Sequence, residues 1–265
     1  MEQATMEPIE TPICHAREDG LIVRGYRQDE ICGNLTYTET LFLTLRGRLP
    51  STAETKVLDA VLNGMIGYDI WTVGRIVASA NSEVWPAFVA SFMAGGRYTI
   101  FPQHGAEFIG QCYEQMKREN LSREEMAVKA VEKLDREKQR LHGVGHPLYK
   151  RIDPRAEAIR KVAEKYGFIG EKTLLFEAIH AEYIKNPRRS NLCLNIDGRF
   201  ACTLLELGFT PPETTIIAIL SLTPGVLADI SHQLQSKPSL ALMLGFPFKY
   251  VGPPEQKLPK EYIRH

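Results

Sequence analysis

Along most of this chain apolar residues recur three and four positions apart, with hydroxyl or carboxyl residues upstream and glycines downstream, and this spacing predicts helices rather than strands. The pattern places helices near 37–46, 52–65, 70–80, 84–95, 105–119, 123–138, 154–166, 172–185, 197–207, 212–222 and 225–235. Thr36 to Glu39, Ser51 to Glu54 and Ser122 to Glu125 read as capping boxes, in which a hydroxyl and a carboxylate satisfy N–H groups that a helix start leaves open. Gly47, Gly167 and Gly208 read as helix stops. The exception is near the start, where Ile13 to Ala16 and Leu21 to Arg24 flank Asp19-Gly20 as a short hairpin. Strands and helices do not alternate, so a doubly wound nucleotide fold is disfavoured. Gly143-Val-Gly145 follows a charged helix rather than a strand and is not a dinucleotide fingerprint.

The charged stretch Arg118 to Arg140 reads as a solvated helix face with i,i+4 pairs, and Trp71 and Trp85 read as core residues. No internal repeat or independent module is evident, and past Ser236 a Pro- and Gly-rich tail is expected to lie over the body.

The 32 basic and 32 acidic residues cancel, and no basic tract appears, which argues against nucleic acid or an anionic membrane as main partner. Five cysteines, at 14, 32, 112, 193 and 202, form no CxxC pair and suit reduced thiols in the cytoplasm. The acidic, proline-bearing start does not read as a targeting peptide. The apolar runs Val84 to Ala94 and Ile216 to Leu220 fall short of the ~18 residues of a membrane span. The expectation is a soluble protein large enough for one body or two domains.

Chemistry concentrates between Gly143 and Arg155, which reads Gly-Val-Gly-His-Pro-Leu-Tyr-Lys-Arg-Ile-Asp-Pro-Arg. The flanking glycines allow a loop to aim His146 into a cleft. Asp153-Pro154 starts a helix as N-cap and N1, placing Arg155 in a first turn that already favours an anion. His142 and His146 would suit a metal only on a helix, which Gly143 and Gly145 make improbable, and no metal is expected. His104, in Phe-Pro-Gln-His-Gly-Ala-Glu, and Asp197, in Asn-Ile-Asp-Gly, also stand at helix starts. Two histidines and a carboxylate suit enolate chemistry beside a thioester, which needs a base for a weakly acidic C–H and donors for the oxygen gaining charge.

The Gly143 to Arg155 segment closely resembles the Gly-His-x-x-Tyr-Lys-x-x-Asp-Pro-Arg motif of the citrate synthase superfamily, which also includes citryl-CoA lyases and the lyase module of ATP-citrate lyase. The similarity extends to Val23-Arg-Gly-Tyr26, Gly33-Asn-Leu35, Gly47-Arg-Leu-Pro50, Thr223-Pro-Gly225 and Tyr250-Val-Gly-Pro253, nearly the whole chain. It implies an all-α, citrate synthase-like multi-helical fold with one short N-terminal β-hairpin. A large helical domain would comprise 1–106 and 213–265, and a small CoA-binding and catalytic domain 107–212. The short length looks more like the citryl-CoA lyase branch. His104, His146 and Asp197 would be catalytic.

In cleavage, by this resemblance, His146 takes the hydroxyl proton, His104 holds the enolate oxygen and Asp197 as acid protonates the carbon. In synthesis Asp197 removes the methyl proton of acetyl-CoA and His146 polarises the keto group. Arg155 and Lys237 would bind substrate carboxylate, and Val144, Gly145, Lys150 and Arg151 coenzyme A. The thioester would be a substrate with no bound cofactor, and the assembly a homodimer. A synthase that releases free CoA and a catalytically weak acyl-CoA-binding homologue are the alternatives.

The chain departs from the family where substrate is recognised. Leu222-Thr-Pro-Gly225 stands for the usual Arg-Thr-x-Gly, Asn63-Gly64-Met65 for Asp-His-Gly, and Lys237-Pro238 for Arg-Pro. His104-Gly-Ala-Glu107 is shorter than His-Gly-Gly-Ala-Asn-Glu. Charge-assisted hydrogen bonds contribute roughly 1.5 to 3 kcal/mol each, so a substrate with fewer carboxylates than citrate is expected.

Overall fold

The computed structural model describes residues 10–67, 72–81, 83–95, 102–235, 251–257 and 259. Three short strands, β1 (Cys14–Arg17), β2 (Gly20–Val23) and β3 (Tyr26–Arg27), form an antiparallel sheet in which Cys14 pairs with Val23 and Arg17 with Gly20. The hairpin therefore turns at Glu18-Asp19, one residue before the expected turn, and Gly20 opens β2 at φ +141°.

Eleven helices follow among the described residues: α1 (Gln28–Asn34), α2 (Tyr37–Arg46), α3 (Thr52–Leu62), α4 (Thr72–Asn81), α5 (Val84–Met93) and α6 (Pro102–Arg118), then α7 (Arg123–Arg136), α8 (Pro154–Lys165), α9 (Glu171–Tyr183), α10 (Ile196–Glu206) and α11 (Pro211–Gln235). The all-α class and the single small hairpin sheet are as the sequence led us to expect. All three capping boxes form, with backbone N–H and carboxylate partners reciprocally satisfied at Thr36, Ser51 and Ser122. Gly47, Gly167 and Gly208 end their helices at φ between 72° and 83°. The short α1 has no amphipathic repeat long enough to be visible in the pattern.

The separation expected between Leu222 and Gly225 does not occur, because α11 runs unbroken through Pro224. An interior proline forfeits a backbone bond and costs ~3 kcal/mol or more in isolation. Here Thr223 Oγ1 donates to the Ile219 carbonyl at 2.9 Å, and Leu222 and Val226 are locked in the core on either side. Gly225 is small for a packing reason, since a Cβ there would collide with the Ile66 carbonyl. The joined helix is long and apolar enough, by length and composition alone, to cross a bilayer, contrary to the count made on separate runs. In this structure its Ile217, Ala218, Leu222, Val226 and Ile230 form the middle of a core cluster.

Two clusters share the interior. The first joins Phe42 of α2, Val57, Leu58 and Val61 of α3, Ile159 and Ala163 of α8 and the α11 residues. The second joins Ile109 and Cys112 of α6, Met126, Ala130 and Leu134 of α7, and Leu175, Phe176 and Ile179 of α9. Helix α10 is the wall between them, giving Phe200 and Leu204 to the first and Ala201, Cys202 and Leu205 to the second. Nine residues of α10 are buried, so its N-terminus is held firmly in the middle of the molecule.

Two smaller expectations fail. Trp85 is 71% exposed and stacks on Phe88, so it is a surface residue among the described residues; Trp71 lies outside them. Arg118 to Arg140 is largely solvated as expected, but its ion pairs among the described residues are not i,i+4: Lys129 pairs with Glu119 at 2.9 Å, Arg118 and Arg136 with the residue that follows each, and Asp135 with Arg189.

Candidate active site

The segment Asn195-Ile-Asp197 opens α10, and Asn195 joins it to the histidine loop. Its Oδ1 accepts from Gly198 N at 3.1 Å as an N-cap, while its Nδ2 donates to the Gly145 carbonyl at 2.7 Å. Its backbone N–H donates to Gly143 O at 3.0 Å, and Gly145 N donates to Cys193 O at 2.7 Å. Val144 and Leu194 thereby bridge antiparallel strand-like segments. Gly143 and Gly145 sit at φ 81° and 88°, and a Cβ at either Gly143 or Gly198 would collide with the other's backbone. The glycines thus let the loop lie on the helix start at van der Waals limit, the close approach expected of Gly143.

Asp153 makes the second connection. It caps α8 by accepting from Arg155 N at 3.1 Å, takes Arg155 Nε at 3.0 Å and Nη2 at 2.8 Å in a bidentate pair, and accepts from Ile196 N at 3.1 Å. Its side chain is wholly buried. Burial raises its pKa, but the Arg155 bonds and the two N–H donors outweigh that and hold it below the usual carboxylate range. Arg155, expected to meet a substrate carboxylate, is therefore already shared with Asp153, and its guanidinium lies 5.4 Å from the Tyr149 ring.

His146 stacks on Tyr149 at 4.6 Å. Its Nδ1 accepts from Leu148 N at 3.1 Å and Tyr149 N at 3.2 Å, so the neutral ring carries its proton on Nε2, which is buried. Desolvation, reinforced by Arg155 and Lys150, lowers its pKa. At neutral pH it is an uncharged N–H donor.

Asp197 behaves oppositely. The residue as a whole is partly covered, but its Oδ1 is buried without a hydrogen-bond partner among the described residues. Desolvation first, then the Asp153 charge, push its pKa up to about 6, against the opposing pull of Arg155. A neutral donor and a carboxyl poised near neutrality, both acting on the charges of Arg155 and Asp153, are what proton transfer at a carbon requires.

His104 meets the histidine loop at His142, four residues before His146. It lies in the first turn of α6, which starts at Pro102, three residues before the expected boundary. Its ring centroid is 5.3 Å from that of His142, and Glu107 Oε2 is 3.5 Å from its Nδ1. The neighbouring Gly105 faces Ala201 of α10 and the His142 carbonyl.

A cleft of about 860 Å³ opens on the other side of the loop, walled by Val144, Gly145, His146 and Pro147 with the cations Lys138, Arg140 and Arg189. Val144 and Gly145, expected to bind coenzyme A, line it. Lys150, whose Nζ donates to His146 O at 3.3 Å, and Arg151 are exposed and do not. Lys138, Arg140 and Arg189 went unnoticed because their charge stood in what reads as an ordinary solvated helix and turn. Lys237 lies outside the described residues. Among the family departures, Leu222 is 2% exposed within the core, and a Cβ at Gly64 would come 2.8 Å from Ile159 Cδ1, so neither position offers a substrate a side chain.

The helical body, with a loop histidine tied to the helix start that carries a desolvated aspartate, is that of a citrate synthase-like protein. The Citrate synthase, C-terminal domain family matches residues 72–241, and the chain belongs to it. The fold is similar to that of citryl-CoA lyase from Hydrogenobacter thermophilus, with a TM-score of 0.85 and 27% identity over 96% of this chain and 99% of that one. ATP citrate lyase from Methanothrix soehngenii, solved with citrate and coenzyme A, shares the fold at a TM-score of 0.73 and 12% identity, covering 99% of this chain and 44% of that one. Citrate/2-methylcitrate synthase of Bacillus subtilis (strain 168) is 26% identical over 207 residues, 75% of this chain and 53% of that protein. Against glyoxysomal citrate synthase of Cucurbita maxima the chain is 25% identical and spans 44% of the relative, so it covers about half the length of such synthases.

Proposed function

We propose that this chain is a CoA-dependent carbon–carbon lyase of the citryl-CoA lyase type. It would split a 3-hydroxyacyl-CoA into acetyl-CoA, or a related acyl-CoA, and a keto compound with fewer carboxylates than citryl-CoA supplies. The observation that carries this reading is the desolvated Asp197 carboxyl, two residues after Asn195, whose side-chain amide holds the Gly145 carbonyl next to His146. In condensation the Asp197 carboxylate takes a methyl proton beside the thioester, and its raised pKa makes it a stronger base than an exposed aspartate. His104 donates to the enolate oxygen. His146 offers Nε2–H to the keto oxygen and passes that proton to it as the bond forms. Cleavage reverses each step: the hydroxyl proton returns to Nε2, the bond breaks, and Asp197 in its acid form protonates the carbon.

The cations beside Val144 and Gly145 suit the phosphates of coenzyme A. The TM-score of 0.85 against a citryl-CoA lyase supports the lyase over a synthase that also hydrolyses the thioester. The exposed apolar residues Val84, Trp85, Val89 and Met93 of α5, with Ile216, Ile219 and Leu227 of α11, suit a face buried in a homodimer.

The test is exchange of the acetyl-CoA methyl protons in deuterated water, together with a panel of 3-hydroxyacyl-CoA thioesters carrying no, one or two extra carboxylates. Exchange is expected in the wild type and in His146→Ala, whose missing group acts on the keto partner, and is expected to vanish in Asp197→Asn. A wild-type protein that neither exchanges the methyl nor cleaves any thioester would sink the reading in favour of an acyl-CoA-binding homologue. Stoichiometric release of free CoA during condensation would make it a synthase.

A further inference from the structure

Beside Arg155 an open groove of about 440 Å³ runs between α3 and α8. Ala60 and Gly64 form one wall, and Pro154, Ala158, Ile159 and Val162 the other; its polar lining is Asn63 and Arg155. Asn63 Nδ2 already donates to Asp59 O at 2.8 Å, and Arg155 gives Nε and Nη2 to Asp153. Among the described residues Arg155 is the one cation of this lining, so they can meet a single carboxylate with a charged donor. Farther in, a second carboxylate would lose its water to aliphatic walls with no compensating partner. The crowding of Gly64 by Ile159 and Phe200 rules out a longer polar residue there without movement of both.

The groove is also placed for the reaction. Arg155 lines it; its guanidinium lies 5.4 Å from the Tyr149 ring on which His146 stacks, and it pairs with Asp153, which accepts from the N–H of Ile196 beside Asp197. A substituent on the keto carbon that passes Arg155 enters the space between α3 and α8. Resting on the carbon–carbon chemistry proposed above, we infer that the keto partner is a 2-keto monocarboxylate with an unbranched alkyl chain, its carboxylate at Arg155 and its chain against Ala60, Ala158, Ile159 and Val162.

The experiment measures condensation of acetyl-CoA with pyruvate, with its homologues lengthened by successive methylenes, and with oxaloacetate, detecting the hydroxyacyl-CoA by mass spectrometry. Each buried methylene is expected to raise kcat/KM about fourfold until the groove is full, and oxaloacetate to be poorer than the longer monocarboxylates. Ala158→Leu, at an exposed helix position, and Ala60→Leu fill the groove and are expected to bring the ratio of long to short substrates towards unity. Preference for oxaloacetate, a flat chain-length series, or a series unchanged by both substitutions would overturn the inference. Methyl exchange in acetyl-CoA alone separates the two ideas: exchange with a flat series removes the groove and leaves the chemistry. If exchange is absent, calorimetric affinity for the same keto acids still decides the groove, a rise with chain length supporting it and a flat series refuting it.

Discussion

The Asn195 side-chain amide donates to the Gly145 carbonyl at 2.7 Å, so the loop that carries His146 and the helix that opens beside Asp197 are one rigid piece. The same amide's oxygen caps that helix through Gly198 N. Asn195→Ser keeps a capping acceptor and removes the bridge. We expect kcat to fall by a factor on the order of 10 to 100 with stability changed by under about 1 kcal/mol, because small misplacements are costly in proton transfer. Wild-type kcat in the variant would show that the bridge does not position the loop.

Asp197 is kept at the expense of stability. Its folded pKa of about 6 lies above the unfolded value, so the folded state holds the proton more tightly and stability falls as pH rises from about 4 to about 6, then levels. Two units correspond to roughly 3 kcal/mol. Asp197→Asn should therefore abolish methyl exchange while raising the melting temperature at pH 8 and not at pH 4. The wild-type exchange rate should climb with pH through about 6, as the carboxylate forms. A variant less stable than wild type at pH 8 would contradict the desolvation argument.

Asp153 has the reverse sign. Its lowered pKa contributes stability that is present above the unfolded value and disappears as pH falls through the folded one. Asp153→Ala removes the bidentate partner of Arg155 and the acceptor of Ile196 N, and should cost about 3 to 5 kcal/mol, measured by urea unfolding at pH 7. A loss below about 1 kcal/mol would mean that the pair and the Ile196 bond are dispensable.

Trp85, 71% exposed beside Val84, Val89 and Met93, offers a test of assembly. Trp85→Glu should shift a dimer to monomers in sedimentation velocity with helical content unchanged. A monomeric wild type would dismiss the dimer, and a dimeric variant would place its interface elsewhere.

Local rules made much of the architecture readable. The three capping boxes and the stops at Gly47, Gly167 and Gly208 depend on residues within one turn of each other, and they form as their spacing indicates. The run through Thr223-Pro-Gly225 misled for the same reason: locally proline and glycine end helices, but packing of Leu222 and Val226 and the contact of Gly225 with Ile66 override that preference. Trp85 looked like core because size and apolarity do not say which face of α5 it occupies.

The sequence by itself determined an all-helical chain, its caps and stops, and the residue types able to move protons at His104, His146 and Asp197. Only the tertiary structure decided what those residues are. The backbone donors that fix the tautomer of His146, the burial that raises Asp197, and the Asp153 carboxylate that takes up Arg155 come from segments brought together by folding. Protonation and charge pairing depend on desolvation and on neighbours in space, and neither is a property of adjacent residues in the chain.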